Sequence, residues 1–146
     1  MSEALALLDT SVWARMRDGR LAGRDAERVL ARLERGELAS TEPLLLEMRY
    51  SARDGGDFAA LAEELDALPL LELDHPAIQG ALQAQAKLAA NPQISHRVKP
   101  IDLLVAAVAA RHGAGILHYD GDYDLIAKHT DLRFESVWAV KRGSAG

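Results

Sequence analysis

The sequence predicts an α/β fold with a central, mostly parallel sheet of four to five strands and about seven helices. Three observations predict it. Ala4-Leu5-Ala6-Leu7-Leu8 and Gly115-Ile116-Leu117 are short continuous apolar runs, as expected of strands covered on both faces. Between such runs lie segments with apolar residues at helical spacing. The segment from Leu103 to Ala110 is apolar nearly all round, so its helix is buried.

The elements follow in order. The first strand ends at Asp9, and a helix runs from about Ser11 to Asp18. Arg24 to Arg35 places Val29, Leu30 and Leu33 on one helical face, and Gly36 closes it. Glu37 to Ser40 is a candidate short strand. Ser40 or Thr41 can cap a helix that carries Pro43 in its first turn and ends near Arg53. Gly55-Gly56 reads as a break, Phe58 to Leu65 as a helix, and Leu68 to Leu73 as another buried strand. Pro76 opens a long helix that stops near Asn91-Pro92, and Pro100 to Arg111 forms the buried helix, closed by Gly113. Ile116 to His118 is a strand, Asp122 to Lys128 a short helix, and Arg133 to Trp138 a last strand. Residues 1–140 read as one domain and 141–146 as a frayed tail.

Composition narrows the function. The chain has 146 residues, about half of them apolar, enough for a core. There is no apolar run of about 18 residues and no secretory signal, which predicts a cytoplasmic protein without a membrane span. With no cysteine there is no disulfide, thiolate zinc site or cysteine nucleophile. A net charge of −5 argues against a general nucleic-acid coat. It leaves room for an enzyme that meets nucleic acid through a metal and a few local arginines, and it suits a basic protein partner.

In parallel sheets, sites form beyond the carboxyl ends of the strands. That rule marks Asp9 and Asp120, both acids. Asp102 stands at the mouth of the buried helix, where a charge costs desolvation unless it is compensated. Glu47 follows three leucines and could face inward, whereas Glu42 suits a first helical turn. Capping explains each acid alone. Together above one sheet edge they cannot all stay ionised without a counter-charge. Magnesium or manganese is the usual answer, since hard cations take carboxylate oxygens. Such a centre can activate water in line with a phosphodiester.

Other chemistries lack their motifs. Asp120-x-Asp122-x-Asp124 resembles half an EF-hand loop, but Leu125 and Asp131 stand where that loop needs Gly and Glu. A phosphatase of that Asp-x-Asp type would carry the motif after the first strand. The histidines show no HxH or HExxH spacing, and no GxxxxGK[ST] or GxGxxG is present. Arg15, Arg17, Arg20, Arg24 and Arg28 form either a solvated helical face or a guide for phosphate.

The blocks Leu8-Asp9-Thr10-Ser11, LLLEMRYSAR, KPIDLLVAAVAARHG and ILHYDGDYDLIA, in this order and spacing, resemble the PIN-domain ribonucleases, and more narrowly the VapC-type toxins. The resemblance covers about residues 5–138 and implies a three-layer α/β/α fold. It implies that Asp9, Glu47, Asp102 and Asp120 form an acidic quartet, with Asp122 as a further acid, holding Mg²⁺ or Mn²⁺. Structured RNA would be cleaved to a 5′-phosphate and a 3′-hydroxyl. Thr10 or Ser11 would hydrogen-bond within the cluster, and Arg15, Arg97 or Lys99 could touch RNA phosphate. The implied partners are a VapB-like antitoxin and a second copy of the chain. Tyr123 departs from the family's commoner Phe, and Glu42 competes with Glu47 for register. Two other readings stand beside this one: a non-catalytic PIN-like scaffold and a magnesium-dependent phosphatase of α/β type.

Overall fold

A computed structural model describes residues 5–94 and 98–145. Its elements are β1 (Ala6–Leu8), α1 (Thr10–Arg17), α2 (Gly23–Glu34), β2 (Leu38–Ala39), α3 (Glu42–Tyr50), α4 (Gly55–Asp66), α5 (His75–Ala89), α6 (Pro100–His112), β3 (Gly115–His118), α7 (Asp122–His129) and β4 (Ser136–Trp138). The strands run parallel in the order β2-β1-β3-β4. The expected α/β class, parallel sheet and helix content are therefore present.

The sheet order places the site. The chain leaves β1 toward one edge and β3 toward the other, so the topology switches between these two central strands. Ligands in such sheets bind outside the carboxyl ends at that switch point. Leu8 pairs with Leu117, and the Asp9 N–H donates to the Leu117 carbonyl at 3.0 Å. Asp9 and the residues after β3 thus emerge side by side.

Burial explains the central elements. All residues of β1 and β3 are buried. In α6, Leu103 and Val105 through Ala109 are buried, and the small alanines admit close neighbours on several sides. Gly113 ends α6 with φ +67°, a conformation that favours glycine. α5 packs against α6 through Ala77, Ala81, Ala84 and Leu88, spaced along one face.

Four sequence expectations need correction. α3 does end before Gly55-Gly56, but the next helix starts at Gly55 rather than near Phe58: the two glycines form the first turn of α4, because Asp54 caps it by accepting from the Asp57 N–H. Leu68–Leu73 is not a buried strand. It makes one isolated parallel bridge, Ser40 to Leu70, and Leu70 is 53% exposed. With β2 only two residues long, there is no ladder for it to extend. The last strand is shorter than expected and starts at Ser136. The tail is anchored as far as Ala145, which is buried and whose N–H donates to the Tyr119 hydroxyl at 2.9 Å. Among the described residues, no helix is long and apolar enough to cross a membrane.

Candidate metal centre

Asp102, Asp120 and Asp122 each offer a carboxylate oxygen, and these atoms lie within 4.8 Å of one another. Asp102 comes from the first turn of α6 and is 4% exposed. Its Oδ2 is buried and has no hydrogen-bond partner. Asp120 is held by the turn between β3 and α7. Its N–H donates to His118 Nδ1 at 3.1 Å, and its Oδ1 accepts from the Asp122 N–H at 3.0 Å.

His118 is a positioning group that sequence reasoning passed over. It is fully buried, and burial pushes its pKa below the usual imidazole range. Since Nδ1 accepts from Asp120, the neutral ring donates from Nε2 to Ser136 Oγ at 2.7 Å. Ser136 donates onward to Asp124 Oδ1 at 2.6 Å, and Trp138 Nε1 donates to Asp124 Oδ2 at 2.9 Å. Asp124 is thus occupied as a tie between α7 and β4. These donors outweigh its burial and lower its pKa.

Asp9, 3% exposed, lies outside the three-carboxylate group but is linked to it. Its Oδ2 accepts from Ser11 N–H at 3.0 Å and Ser11 Oγ at 2.5 Å. Its Oδ1 accepts from the Tyr123 hydroxyl at 2.6 Å, and the same hydroxyl lies 3.3 Å from Asp102 Oδ1. Ser11 Oγ also accepts from the Tyr119 N–H at 2.8 Å. Of the two hydroxyls expected to serve the cluster, Ser11 does so, whereas Thr10 Oγ1 is buried without a hydrogen bond. Tyr123 is a further residue joined to the acids, a contact that its place in the sequence does not foretell. A tyrosine in an apolar helical pattern reads as core, and its ring is core; only the hydroxyl reaches the acids.

The two glutamates separate clearly. Glu42 Oε1 accepts from the Leu73 N–H at 2.8 Å and from Thr41 Oγ1 at 3.3 Å, so it clips α3 to the segment before α5. Glu47 is half-buried on α3 and stands outside the three-carboxylate group.

The electrostatics are those of crowded acids. Burial first, and then the Asp120 charge, raise the Asp102 pKa to about 8. Burial and Asp120 also raise Asp122. Burial works to raise Asp120 as well, but the Asp122 N–H, the neighbouring Asp102 carboxyl and Lys99 together lower it. The pair therefore keeps one proton, on Asp102. Lys99 supplies positive charge, with Nζ 3.3 Å from Asp120 Oδ2 and 4.0 Å from Asp102 Oδ2. Burial of Lys99 opposes its charge, but Asp102 and Asp120 prevail and its pKa is raised. An orphaned buried oxygen and crowded hard donors fit a divalent cation such as Mg²⁺ or Mn²⁺.

Aromatic and cationic groups border the turn. The Arg15 guanidinium stacks 4.4 Å from the Tyr119 ring centroid, and Tyr119 meets Trp138 edge-on at 5.5 Å. Arg142 lies over Trp138 at 5.5 Å and against Gly121. Arg97, a candidate RNA contact from the sequence, lies outside the described residues.

This fold and this edge-of-sheet acid cluster are those of a known class. The PIN domain family model matches residues 6–129, and the chain belongs to the PIN-domain family. Ribonuclease VapC51 of Mycobacterium tuberculosis is 40% identical over 138 residues, covering 94% of this chain and 95% of the relative. Ribonuclease VapC18 of the same organism is 36% identical over 138 residues, covering 94% and 96%. Among solved structures, a chain of DNA-bound VapBC from Salmonella typhimurium superposes with TM-score 0.73 at 16% identity, covering 94% of this chain and 100% of that one. A chain of VapBC-5 from Mycobacterium tuberculosis superposes with TM-score 0.62 at 23% identity, covering 92% and 100%.

Proposed function

We propose that this chain is the toxin of a VapBC-like toxin–antitoxin module and acts as a metal-dependent endoribonuclease on structured RNA in the cytoplasm. The observation that carries the reading is the convergence of Asp102, Asp120 and Asp122 at the switch point of a PIN fold, with Asp9 joined to them through Tyr123. That the similar proteins are ribonucleases of the VapC type supports it.

Asp102, Asp120 and Asp122 would hold Mg²⁺ or Mn²⁺, which when bound activates the attacking water and offsets charge on the phosphoryl oxygens. Asp9 braces Asp102 from the protein side. Glu47, from α3, is the further acid that would orient the attacking water. Lys99, Arg15 and Arg142 give the RNA backbone local positive charge on a chain that is acidic overall. The partners are a VapB-like antitoxin, whose basic side chain would complement the carboxylates, and a second copy of the chain.

The test uses purified protein on total RNA. Cleavage is expected with Mg²⁺, to be abolished by chelator and by Asp102→Ala, and growth should stop on expression of wild type but not of that variant. Cleavage that survives chelation, or equal toxicity of the variant, overturns the reading. Release of phosphate from a small monoester with RNA left intact points instead to a phosphatase.

A further inference from the structure

We propose that Tyr123 is a positioning residue of the metal centre, its hydroxyl linking Asp9 to Asp102 and deciding which oxygen of Asp102 is presented to a cation. The inference rests on the metal-centre reading above. Tyr123 is completely buried, with its ring centroid 4.9 Å from that of His118. Packing there needs the ring and not the oxygen. A buried hydroxyl nevertheless requires a partner, and this one is placed between two buried carboxylates.

The geometry accounts for each oxygen. Asp9 Oδ2 is taken by two donors from Ser11, and Asp9 Oδ1 by Tyr123. On distance, the hydroxyl proton goes mainly to Asp9, at 2.6 Å, with Asp102 Oδ1 as the weaker second acceptor at 3.3 Å. Asp102 Oδ1 is thereby turned toward the protein. The opposite oxygen, Oδ2, is left without a hydrogen bond, on the side of Lys99. One hydroxyl so brackets two buried acids and holds the plane of the Asp102 carboxyl fixed. Outer-shell partners of this kind orient ligands and tune affinity.

The experiment measures Mn²⁺ affinity by calorimetry in the full chain, with thermal unfolding alongside. Tyr123→Phe keeps the ring and removes the donor. It is expected to weaken Mn²⁺ binding by about tenfold or more, the usual effect of losing such a partner. Tyr123→4-aminophenylalanine restores an N–H donor at the same place and is expected to bind as wild type does. Wild-type affinity in the Phe variant overturns the inference, and so does an aminophenylalanine variant as weak as the Phe one. If the Phe variant does not fold, the aminophenylalanine variant decides alone: retained affinity supports the link and a tenfold loss overturns it. A wild-type chain that binds no Mn²⁺ removes the metal centre and this inference together; wild-type binding matched by Tyr123→Phe removes only the inference.

Discussion

Lys99 holds its ammonium 3.3 Å from Asp120 Oδ2 while its stem remains largely open to solvent. The ammonium is a counter-charge on a flexible arm, at the place where a divalent ion would add charge. Removing it should make the acids a stronger cation trap. Lys99→Met is expected to tighten Mn²⁺ binding by up to about fivefold, a discounted figure because exposed pairs contribute on the order of 1 kcal/mol or less. Calorimetric titration decides it, and weaker binding in the variant would remove Lys99 from the electrostatics of the site.

The proton on Asp102 sets a pH dependence for metal uptake. With a pKa of about 8, the carboxyl is mostly protonated at neutral pH, and a cation must displace that proton. Mn²⁺ affinity is therefore expected to rise about tenfold per pH unit below 8 and to level off above it. Titrations at pH 7 in buffers of different ionisation enthalpy should show release of close to one proton. Binding that is flat between pH 6 and 8 would contradict the shared proton.

The same group shapes stability without metal. Its folded pKa is raised above the unfolded value of 3.8, so the folded chain binds the extra proton. Stability from this group is present at low pH and is lost as pH rises from about 4 through about 8. Asp102→Asn mimics the protonated carboxyl and should abolish that loss. At pH 9 in chelator the variant is expected to melt higher than wild type by on the order of 3 °C, the shift that about 1 kcal/mol produces in a domain of this size. Near pH 4 the two should melt alike.

Glu42 and Glu47 are expected to fail in opposite ways. Glu42→Ala removes the acceptor for the Leu73 N–H, which should cost about 1–2 kcal/mol in denaturant unfolding while Mn²⁺ affinity is kept. Glu47→Gln should leave stability unchanged and lower RNA cleavage by about tenfold or more, the usual scale for a group that positions a proton-transfer partner. Reversed phenotypes would reassign the two residues.

The acids could be found from sequence because strand and helix ends are readable. Asp9 and Asp120 follow apolar runs, and Asp102 opens a helix with no polar face. What could not be read was the wiring between them. Tyr123 and His118 are buried, and one-dimensional patterns treat buried aromatics as packing; their polar atoms gain meaning only when β3 and α7 bring them to Asp9 and Asp120. Arg142 was hidden for a related reason, since a short polar tail gives no sign that it returns to Trp138 and Tyr119. The false strand at Leu68–Leu73 shows the complementary failure. Its apolar pattern was real, but a strand needs a partner long enough to pair with, and β2 is not.

The Ser11 hydroxyl joins Asp9 to the amide of Tyr119, which lies 108 residues from Ser11 along the chain. It donates to the acid and accepts from the amide, so a change of charge at Asp9 polarises the amide bond. The Tyr119 N–H is therefore a built-in spectroscopic reporter. Its nitrogen and proton resonances should move during a titration with a diamagnetic ion such as Mg²⁺, and Ser11→Ala should silence the response. The state of the acid cluster can then be followed at a single backbone position, without substrate and without turnover.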